Sequence, residues 1–282
     1  MKLNHDPLTD PTVISYIDVI LKLTTVGKLK EVTQKKLDTA WRSWMIDSSY
    51  NTVDGLDKFK YSAFSPGTTD AFGEFISRYP NRRIRSSKSD FVLTTILAKS
   101  YGRNILNLED GELNKQDCVI MSFPFSGNGS YYPEYNTVFD QADKLNVPVF
   151  IDGAYFGISH GIDYPLDRDC VKDFAISLSK NFAGNPFRLG IRFTKDLVDD
   201  GITAGLIGSD IFDRLGSFIS IELMKQFSHN WLIEKYKKIS DDFCKKSNLN
   251  TTNTLTIGLG GPDMFEFKRG DYIRVCITQD IS

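Results

Sequence analysis

The chain has 282 residues, enough to bury a large core as one big domain or as a large domain with a smaller one attached. Its 34 basic and 36 acidic residues leave a formal charge of -2, which indicates neither a nucleic-acid partner nor an anionic membrane surface, and its four cysteines lack the paired spacing of a metal site. The amino terminus has no apolar signal region and no apolar run approaches membrane-spanning length, so a cytoplasmic protein is the default expectation.

Residues 1–60 predict an amino-terminal helical segment. Asp10-Pro11 is a favourable helix start, because a capping acid precedes a first-turn proline and apolar residues then recur at helical spacing. A second helix is predicted from Lys28 to Met45, with its apolar residues toward the core. We find no residue pattern here that indicates chemistry.

A turn at residues 65–67 is followed by a helix that Thr68 or Thr69 caps and that extends to about Tyr79. Unpaired amide groups and the helix dipole make such a start a ready phosphate site, although on this stretch alone an ordinary capped helix explains the pattern better. The basic cluster from Arg78 to Lys88 is interpreted as a solvated face of the protein.

The next segments predict alternating helices and strands. A helix is expected from Phe91 to about Tyr101, a buried strand from Cys118 to Phe123 and a helix from Pro133 to Leu145. That helix joins the strand to a second one that ends at Asp152, which makes a βαβ unit. The pattern favours an α/β fold with a mostly parallel sheet flanked by helices.

Chemically useful side chains follow the apolar runs in the middle of the chain. Val147 to Ile151 is typical of a strand covered on both faces, and Asp152 stands at its carboxyl end. A second run, Phe174 to Ile176, leads toward Lys180, and Arg188 opens a third predicted strand. Because ligands bind at the carboxyl ends of strands in open α/β sheets, we expect these groups to meet in one place.

These residue types fit pyridoxal phosphate (PLP). An amine holds the aldehyde as a Schiff base, and a carboxylate facing the pyridine nitrogen keeps the ring protonated, so that it accepts electrons from the substrate carbon. Lys180 and Asp152 are the candidates for these roles. A phenol suits the ring oxyanion, and a hydroxyl and a guanidinium suit the phosphate, which indicates Tyr155, Ser177 and Arg188.

The motifs Asp-x-Ala-Tyr (152–155), Ser-x-Ser-Lys (177–180) and Arg-x-Gly (188–190) resemble, in this order, the class I/II aminotransferases of the aspartate-aminotransferase type. Each motif alone is weak, but their order is fairly specific. Taken singly, a solvated loop lysine, a helix cap and an exposed strand arginine explain the residues better. The resemblance implies the fold type I large domain of PLP-dependent transferases, a small α+β terminal domain, PLP as cofactor and a homodimer.

Further site residues are implied by the resemblance. Gly67, Thr68 and Thr69 match the phosphate-binding turn of the family, and Phe91 is the candidate for the aromatic ring that stacks on the cofactor. A core phenylalanine is the alternative for Phe91. Arg274 matches the late-strand arginine that binds the substrate carboxylate, and an exposed edge-strand charge is the alternative there.

One loop departs from the family pattern. Relatives usually carry Asn-Pro-Thr-Gly after the strand, with the asparagine bonded to the ring hydroxyl. Here the sequence of residues 123–129 is Phe-Pro-Phe-Ser-Gly-Asn-Gly. Matching proline to proline puts Phe123 at the asparagine position, so Asn128 is the candidate replacement if the loop is reshaped.

The prediction is a compact PLP-dependent aminotransferase that acts on an amino acid or related amine, with Lys180, Asp152 and Tyr155 as catalytic residues. The alternatives are another PLP-dependent enzyme, such as a decarboxylase, lyase or oxidative enzyme, and a degenerate PLP-binding protein. Beyond the amino-terminal segment we expect a PLP-binding large domain over residues 61–205 and a small domain over residues 206–282, which contains one or two long helices and two strands.

Overall fold

The computed structural model describes residues 7–182, 187–197, 200, 201, 203 and 211–281. The helices of this part of the chain are α1 Pro11–Leu23, α2 Val26–Lys30, α3 Gln34–Ile46, α4 Thr68–Arg78, α5 Val92–Ser100, α6 Tyr135–Leu145, α7 Arg214–Gln226, α8 Trp231–Lys246 and α9 Thr278–Ile281. The strands are β1 Asn51–Thr52, β2 Tyr61–Ser65, β3 Arg83–Ser86, β4 Ile105–Asn107, β5 Asp117–Ser122, β6 Val149–Gly153, β7 Ile162–Asp163, β8 Val171–Ser177, β9 Gly190–Thr194, β10 Asn250–Thr251, β11 Ile257–Leu259, β12 Lys268–Arg269 and β13 Tyr272–Cys276.

A seven-stranded sheet with the order β2-β9-β8-β6-β5-β3-β4 forms the centre of the molecule. The five strands from β8 to β4 run parallel, whereas β9 is antiparallel to both β8 and β2. The predicted α/β fold with a mostly parallel sheet is therefore confirmed. Because β9 runs against β8, its amino end lies at the same sheet edge as the carboxyl ends of β5, β6 and β8.

Both faces of this sheet are covered, as the apolar strand sequences predict. On one face, Ile120 and Phe150 pack with Phe72 and Phe75 of α4. Their neighbours along the strands belong to the larger cluster on the other face, which includes side chains of α1, α3, α6, α7 and α8. The alternation of strand side chains between two helical layers makes the sheet a rigid support for whatever lies at its edges.

The amino-terminal helices differ in one respect from the sequence prediction. Asp10 caps α1 as expected, with Oδ1 accepting from the amide of Thr12 at 2.8 Å. The prediction of a single helix over residues 28–45 was wrong, because this stretch is divided between α2 and α3. The helix is interrupted before Thr33. The backbone of Thr33 is extended, and its hydroxyl caps α3 by accepting a hydrogen bond from the amide of Lys36.

The carboxyl-terminal part contains α7, α8 and a four-stranded sheet with the order β10-β11-β13-β12. The predicted boundary between residues 205 and 206 lies outside the described residues, and the division into three segments stays a prediction. The first and last segments pack together: the indole of Trp44 donates to the carbonyl of Phe227 at 3.0 Å. Tyr236 likewise donates to the Asp10 carboxylate at 2.6 Å.

The basic cluster from Arg78 to Lys88 is only in part a solvated face: Arg83 and Lys88 are exposed, whereas Arg78 and Arg85 pair with buried acids. Arg85 is 3% exposed and donates to the fully buried carboxylate of Asp117 at 3.1 Å. Arg78 forms a two-bonded pair with buried Asp173, at 2.8 and 2.7 Å. For Arg78 and Arg85 the solvated interpretation was wrong, because the fold brings acids from distant parts of the chain beside them: Asp117 lies on β5, which pairs with β3, and Asp173 lies on β8, against which α4 packs.

Candidate functional site

A cavity opens at the sheet edge where β5, β6 and β8 end and β9 begins. These strands carry their polar residues to one place because parallel strands end on the same side of a sheet. The wall of the cavity consists of Thr68, Thr69, Phe91, Leu93, Ser126, Asp152, Ala154, Tyr155, Ser177, Ser179, Lys180 and Arg188. The structure therefore brings together most of the site residues suggested by the sequence. Gly67, Asn128 and Arg274 are outside this wall.

Asp152 is the acid of the cavity and the second-last residue of β6. Asp152 is 3% exposed, and its carboxylate accepts a hydrogen bond from the amide of Ala154 at 3.0 Å. Burial, together with the charge of the neighbouring Asp90, raises the pKa of Asp152 to about 7, against the hydrogen bond from Thr68 and the charge of Lys180. A cationic group in the cavity would lower this pKa and hold the carboxylate ionised.

Asp90 is a second buried acid, behind the wall of the cavity. It accepts from the amide of Phe91 at 2.7 Å and from the amide of Ser122 at 3.0 Å, and the Ser122 hydroxyl is also bonded to it. Burial raises the pKa of Asp90. Its bonds fix the start of α5 against the end of β5, and so they set the position of the Phe91 ring in the cavity wall.

The turn before α4 forms one end of the site. Gly67 has a φ of 85°, and a Cβ atom at this position would lie 2.5 Å from Nη2 of Arg188. The guanidinium therefore lies directly against the turn, beside the first residues of α4. Gly67, not a threonine, is the cap of α4, and no side chain caps the helix. Thr68 and Thr69 lie in its first turn, so the cap prediction was wrong.

The loop after β5 does not place Asn128 in the cavity wall, where the sequence analysis expected it as the replacement for the family asparagine. Phe123 is fully buried and packs on the rings of Tyr131 and Tyr164, with centroids 5.5 and 5.6 Å away. Asn128 donates to the carbonyl of Tyr131 at 2.9 Å and accepts from the amide of Ser130 at 2.8 Å. Its amide group thus stabilises the loop rather than forming part of the cavity wall.

Ser126 is the residue of this loop that lines the cavity, and sequence reasoning missed it. It is 1% exposed, and its hydroxyl has no hydrogen-bond partner among the described residues. Its amide donates to the hydroxyl of Ser122 at 2.7 Å, which holds the residue in place. The available signal was a small polar residue in the loop that follows a buried strand.

Ser179 was also missed as a site residue, although it lies in the Ser-x-Ser-Lys motif. Its buried hydroxyl likewise has no partner in the described part of the chain and belongs to the cavity wall. Lys180 follows it, and the carbonyl of Lys180 accepts from the amide of Leu8 at 3.1 Å. That bond ties the start of the described chain to the loop that carries the lysine.

Arg274 lies just behind the cavity, on β13. It is 7% exposed, and its Nη2 donates to the hydroxyl of Tyr155 at 3.0 Å. Tyr155 is in the cavity wall, so the two residues link the small sheet to the edge of the large one. Within the described residues, no cluster of acids, histidines and cysteines could hold a metal ion. The helices described here include none that is long and apolar enough to cross a membrane.

No protein-family model matches the sequence, and no curated protein matches it. Solved structures do. An aromatic aminotransferase from Pyrococcus horikoshii has a TM-score of 0.69 at 14% identity, over 97% of this chain and 89% of that one. A PLP-bound putative aminotransferase from Clostridium difficile has a TM-score of 0.65 at 12% identity, over 97% and 86%.

A PLP-bound C-S lyase from Staphylococcus hominis is also similar, with a TM-score of 0.64 at 12% identity, over 99% of this chain and 86% of that one. At such low identity the similarity concerns the fold. The chain therefore has the fold of the PLP-dependent transferases.

Proposed function

We propose that the chain binds pyridoxal 5'-phosphate and acts as a PLP-dependent aminotransferase on an amino acid or related amine. One observation carries the proposal: Lys180, Asp152 and Arg188 come from separate segments and lie in the wall of one cavity. The PLP-bound enzymes among the similar structures support the choice of cofactor. The substrate is a small amino acid or keto acid under this proposal.

The residues of the cavity fit PLP at both of its polar ends. Arg188, beside the first amides of α4, offers the positive charge and the donors that a phosphate requires. Asp152, whose pKa is raised by burial, gains a counter-charge from a protonated pyridine nitrogen. The buried hydroxyl of Ser126, which lacks a partner in the described chain, gains an acceptor in the ring oxygen.

PLP, when bound, supplies an aldehyde and a ring that accepts electrons from a substrate carbon. Under the proposal, Nζ of Lys180 would hold the aldehyde of the cofactor and would be the base that moves a proton to and from the substrate α-carbon. Asp152 holds the proton on the pyridine nitrogen. Tyr155 donates to the ring oxygen, and Arg274 binds the substrate carboxylate as a two-pronged donor.

The C-S lyases among the similar structures favour a second candidate, a PLP-dependent lyase. Purified protein loaded with PLP and mixed with single amino acids distinguishes the two. An aminotransferase releases a keto acid and leaves the cofactor as pyridoxamine phosphate. A C-S lyase acting on a sulfur amino acid also releases a keto acid, but it releases ammonia and a thiol with it and leaves the cofactor unchanged, so these products and the state of the cofactor distinguish it. A decarboxylase releases carbon dioxide, and a degenerate PLP-binding protein releases no product.

Gly67→Ala is expected to weaken PLP binding about tenfold or more. The new methyl group meets the Arg188 guanidinium at 2.5 Å and also forces an alanine into the left-handed region at a φ of 85°. Displacement of the guanidinium removes a charge-assisted contact to the phosphate, which is worth roughly 1.5–3 kcal/mol. The PLP dissociation constant measures the effect.

Gly102→Ala is the matched control, because Gly102 has a φ of 68° and a methyl group added there meets no described atom within 4 Å. Both variants carry a backbone penalty, because each puts an alanine at a positive φ. Equal PLP affinity in the two variants would show that Arg188 does not bind the phosphate.

Ser126→Ala is expected to raise the pH midpoint of the visible absorption change of bound PLP by up to about one unit. The hydroxyl that stabilises the ring oxygen is lost, and one hydrogen bond of about 1 kcal/mol corresponds to slightly less than one pKa unit. Stability of the cofactor-free protein stays within about 0.5 kcal/mol, because the hydroxyl has no partner among the described residues. An unshifted midpoint, equal to that of Ser130→Ala on the same loop, contradicts the assignment.

We also propose a homodimer and a cytoplasmic location, both of which follow from the sequence resemblance and composition. Three apolar side chains around the end of α1, Leu21, Leu23 and Val26, are exposed, the last two by 57% and 71%. Surfaces of this kind support an interface between subunits. Sedimentation equilibrium of the purified protein gives the mass in solution, and a monomer at micromolar concentration contradicts the dimer.

A further inference from the structure

The outermost strand of the large sheet borders a second pocket, which we call the β2 pocket. It has a volume of about 290 Å³ and shares no wall residue with the cavity that contains Lys180. The wall of the β2 pocket includes residues 60–63 around the start of β2, Gln34, Lys35 and Asp38 of α3, and Arg192 and Thr194 of β9. Sites for small molecules have volumes from roughly 300 Å³ upward, so this pocket suits a small metabolite.

The pairing of β2 with β9 forms the floor of the pocket. Ala63 lies opposite Arg192, and Tyr61 lies opposite Thr194. Residues opposite each other, or two apart on one strand, point to the same face of a sheet, so these four side chains share one face. The strand register therefore brings an arginine side chain to the wall of the β2 pocket.

Arg192 has a buried donor that the protein does not use. The residue is 1% exposed, and its two terminal nitrogens bond to the Asp200 carboxylate at 2.6 and 3.0 Å. Nη2 also donates to the hydroxyl of Thr203 at 2.5 Å. Nε, in contrast, is buried and has no hydrogen-bond partner among the described residues. Because buried N–H groups are nearly always paired with protein or water, we expect a molecule in the pocket to accept from Nε.

Gln34 has an unused buried acceptor. Its Nε2 donates to the carbonyl of Ser62 at 2.9 Å and to the Ser62 hydroxyl at 3.1 Å. These bonds fix the side-chain amide and leave Oε1 buried without a partner in the described part of the chain. The wall thus contains one unused donor and one unused acceptor. A hydroxyl group suits both, since it can accept one hydrogen bond and donate another.

The rim of the β2 pocket is positively charged. Lys35 and Lys60 are exposed wall residues, and neither forms an ion pair with an acid in the described ranges. The other charges of the wall are neutralised: Asp38 accepts two bonds from Arg42, at 2.8 and 3.0 Å, and the carboxylate described above neutralises Arg192. The positive end of the α3 dipole lies at the same place. The pocket therefore favours an anion over a neutral or cationic molecule.

We propose that the β2 pocket binds a small organic anion that carries hydroxyl groups. Lys35 and Lys60 hold its charged end. Its hydroxyl groups accept from Nε of Arg192 and donate to Oε1 of Gln34. The charged end is a carboxylate or a phosphate, since both present the oxygens that an ammonium group binds. The inference goes beyond the proposed function and does not depend on it, because the two sites have separate walls.

Titration calorimetry with two hydroxylated anions and a matched compound for each tests the proposal. The protein is saturated with PLP, so that the phosphates do not enter the cofactor cavity. Glycerate is compared with propanoate, and glycerol 3-phosphate with propyl phosphate. We expect each hydroxylated anion to bind about tenfold more tightly than its match, because its hydroxyl groups bond to two buried groups. The tighter of the two identifies the charged end as a carboxylate or a phosphate.

Gln34→Leu is expected to remove the preference for hydroxylated anions. The preference is a ratio of two dissociation constants measured on one protein, so a general loss of stability does not imitate the effect. Lys35→Gln/Lys60→Gln is expected to weaken both hydroxylated anions about fivefold. Lys36→Gln/Lys58→Gln is the matched control and is expected to keep the wild-type affinity, because these exposed lysines lie outside the wall and their loss removes the same charge.

Equal binding of the hydroxylated and the plain anions by the wild type refutes the β2 pocket as their site. A preference that survives in Gln34→Leu refutes it as well. Equal affinity in the two double variants has the same consequence, since the anions then bind elsewhere. A protein that binds no PLP refutes the proposed function alone, and the same titrations on the cofactor-free protein still test the β2 pocket.

Discussion

Lys180→Ala is expected to eliminate the visible absorption that borohydride bleaches and to reduce turnover at least ten-thousandfold. The only amine in the described cavity wall is that of Lys180, so the variant loses both the group that binds the aldehyde and the group that carries the proton. General acid–base catalysis alone contributes roughly a hundred- to ten-thousandfold, and the loss of the covalent partner adds to it.

Lys180→Ala is nevertheless expected to bind PLP, since Arg188, Asp152 and the start of α4 are unchanged. Equilibrium dialysis measures this binding, and single-turnover kinetics measure the chemistry. Lys172→Ala is the control, because Lys172 lies on β8 and outside the cavity wall. Near-normal turnover in Lys180→Ala removes the lysine from the mechanism, and an equal loss in Lys172→Ala indicates a general defect of the fold.

Asp152→Asn is expected to reduce turnover roughly a hundred- to a thousandfold while the protein remains folded. The asparagine keeps the size of the side chain but cannot balance a protonated pyridine nitrogen. An uncompensated buried charge costs about 3–5 kcal/mol, which sets the magnitude. The rate of product formation with saturating PLP is the measurement, and unchanged turnover contradicts the role at the pyridine nitrogen.

In the cofactor-free protein, Asp152→Asn is expected to increase the stability of the fold rather than impair the protein. The pKa of Asp152 is about 7 in the folded state and about 3.9 in an unfolded chain, so the folded state binds the extra proton between these values. The stability of the wild type therefore falls as pH rises from about 4 to 7. We expect Asp152→Asn to lack this contribution and to unfold at a higher urea concentration than the wild type above pH 7.

Below pH 4 the wild type and Asp152→Asn are expected to differ little in stability, because the carboxyl group of Asp152 is protonated in both the folded and the unfolded state. Urea unfolding without PLP at pH 4 and pH 8 measures the difference. Saturating PLP is expected to reverse the order at pH 8, since the bound ring supplies the counter-charge that the wild-type carboxylate lacks. An Asp152→Asn variant that is less stable than the wild type at both pH values contradicts this account of the buried acid.

The sequence by itself determined the fold class and the main elements of the site. Apolar runs such as that before Asp152 are visible along the chain, and the residues after them carry the chemistry. Because neighbouring parallel strands end at the same edge of the sheet, the residues that follow them lie close together there. For this reason Asp152, Tyr155, Ser177, Lys180 and Arg188 could be grouped without coordinates. Their individual roles stay predictions.

Only the tertiary structure decided which loop residues lie in the cavity wall and which charged side chains pair. The position of Phe123 depended on an aromatic cluster gathered from distant segments, and only that packing left Ser126 in the cavity wall. Likewise, the burial of Arg85 depended on Asp117 in the adjacent strand.

Local sequence determines periodicity and helix caps, because these involve residues a few positions apart. Which loop residue faces a cavity, and which two charges share a face, depends on the register between strands. The pairing of Arg85 with Asp117 is of this second kind, since a shift of one residue in the pairing of β3 and β5 would put them on opposite faces.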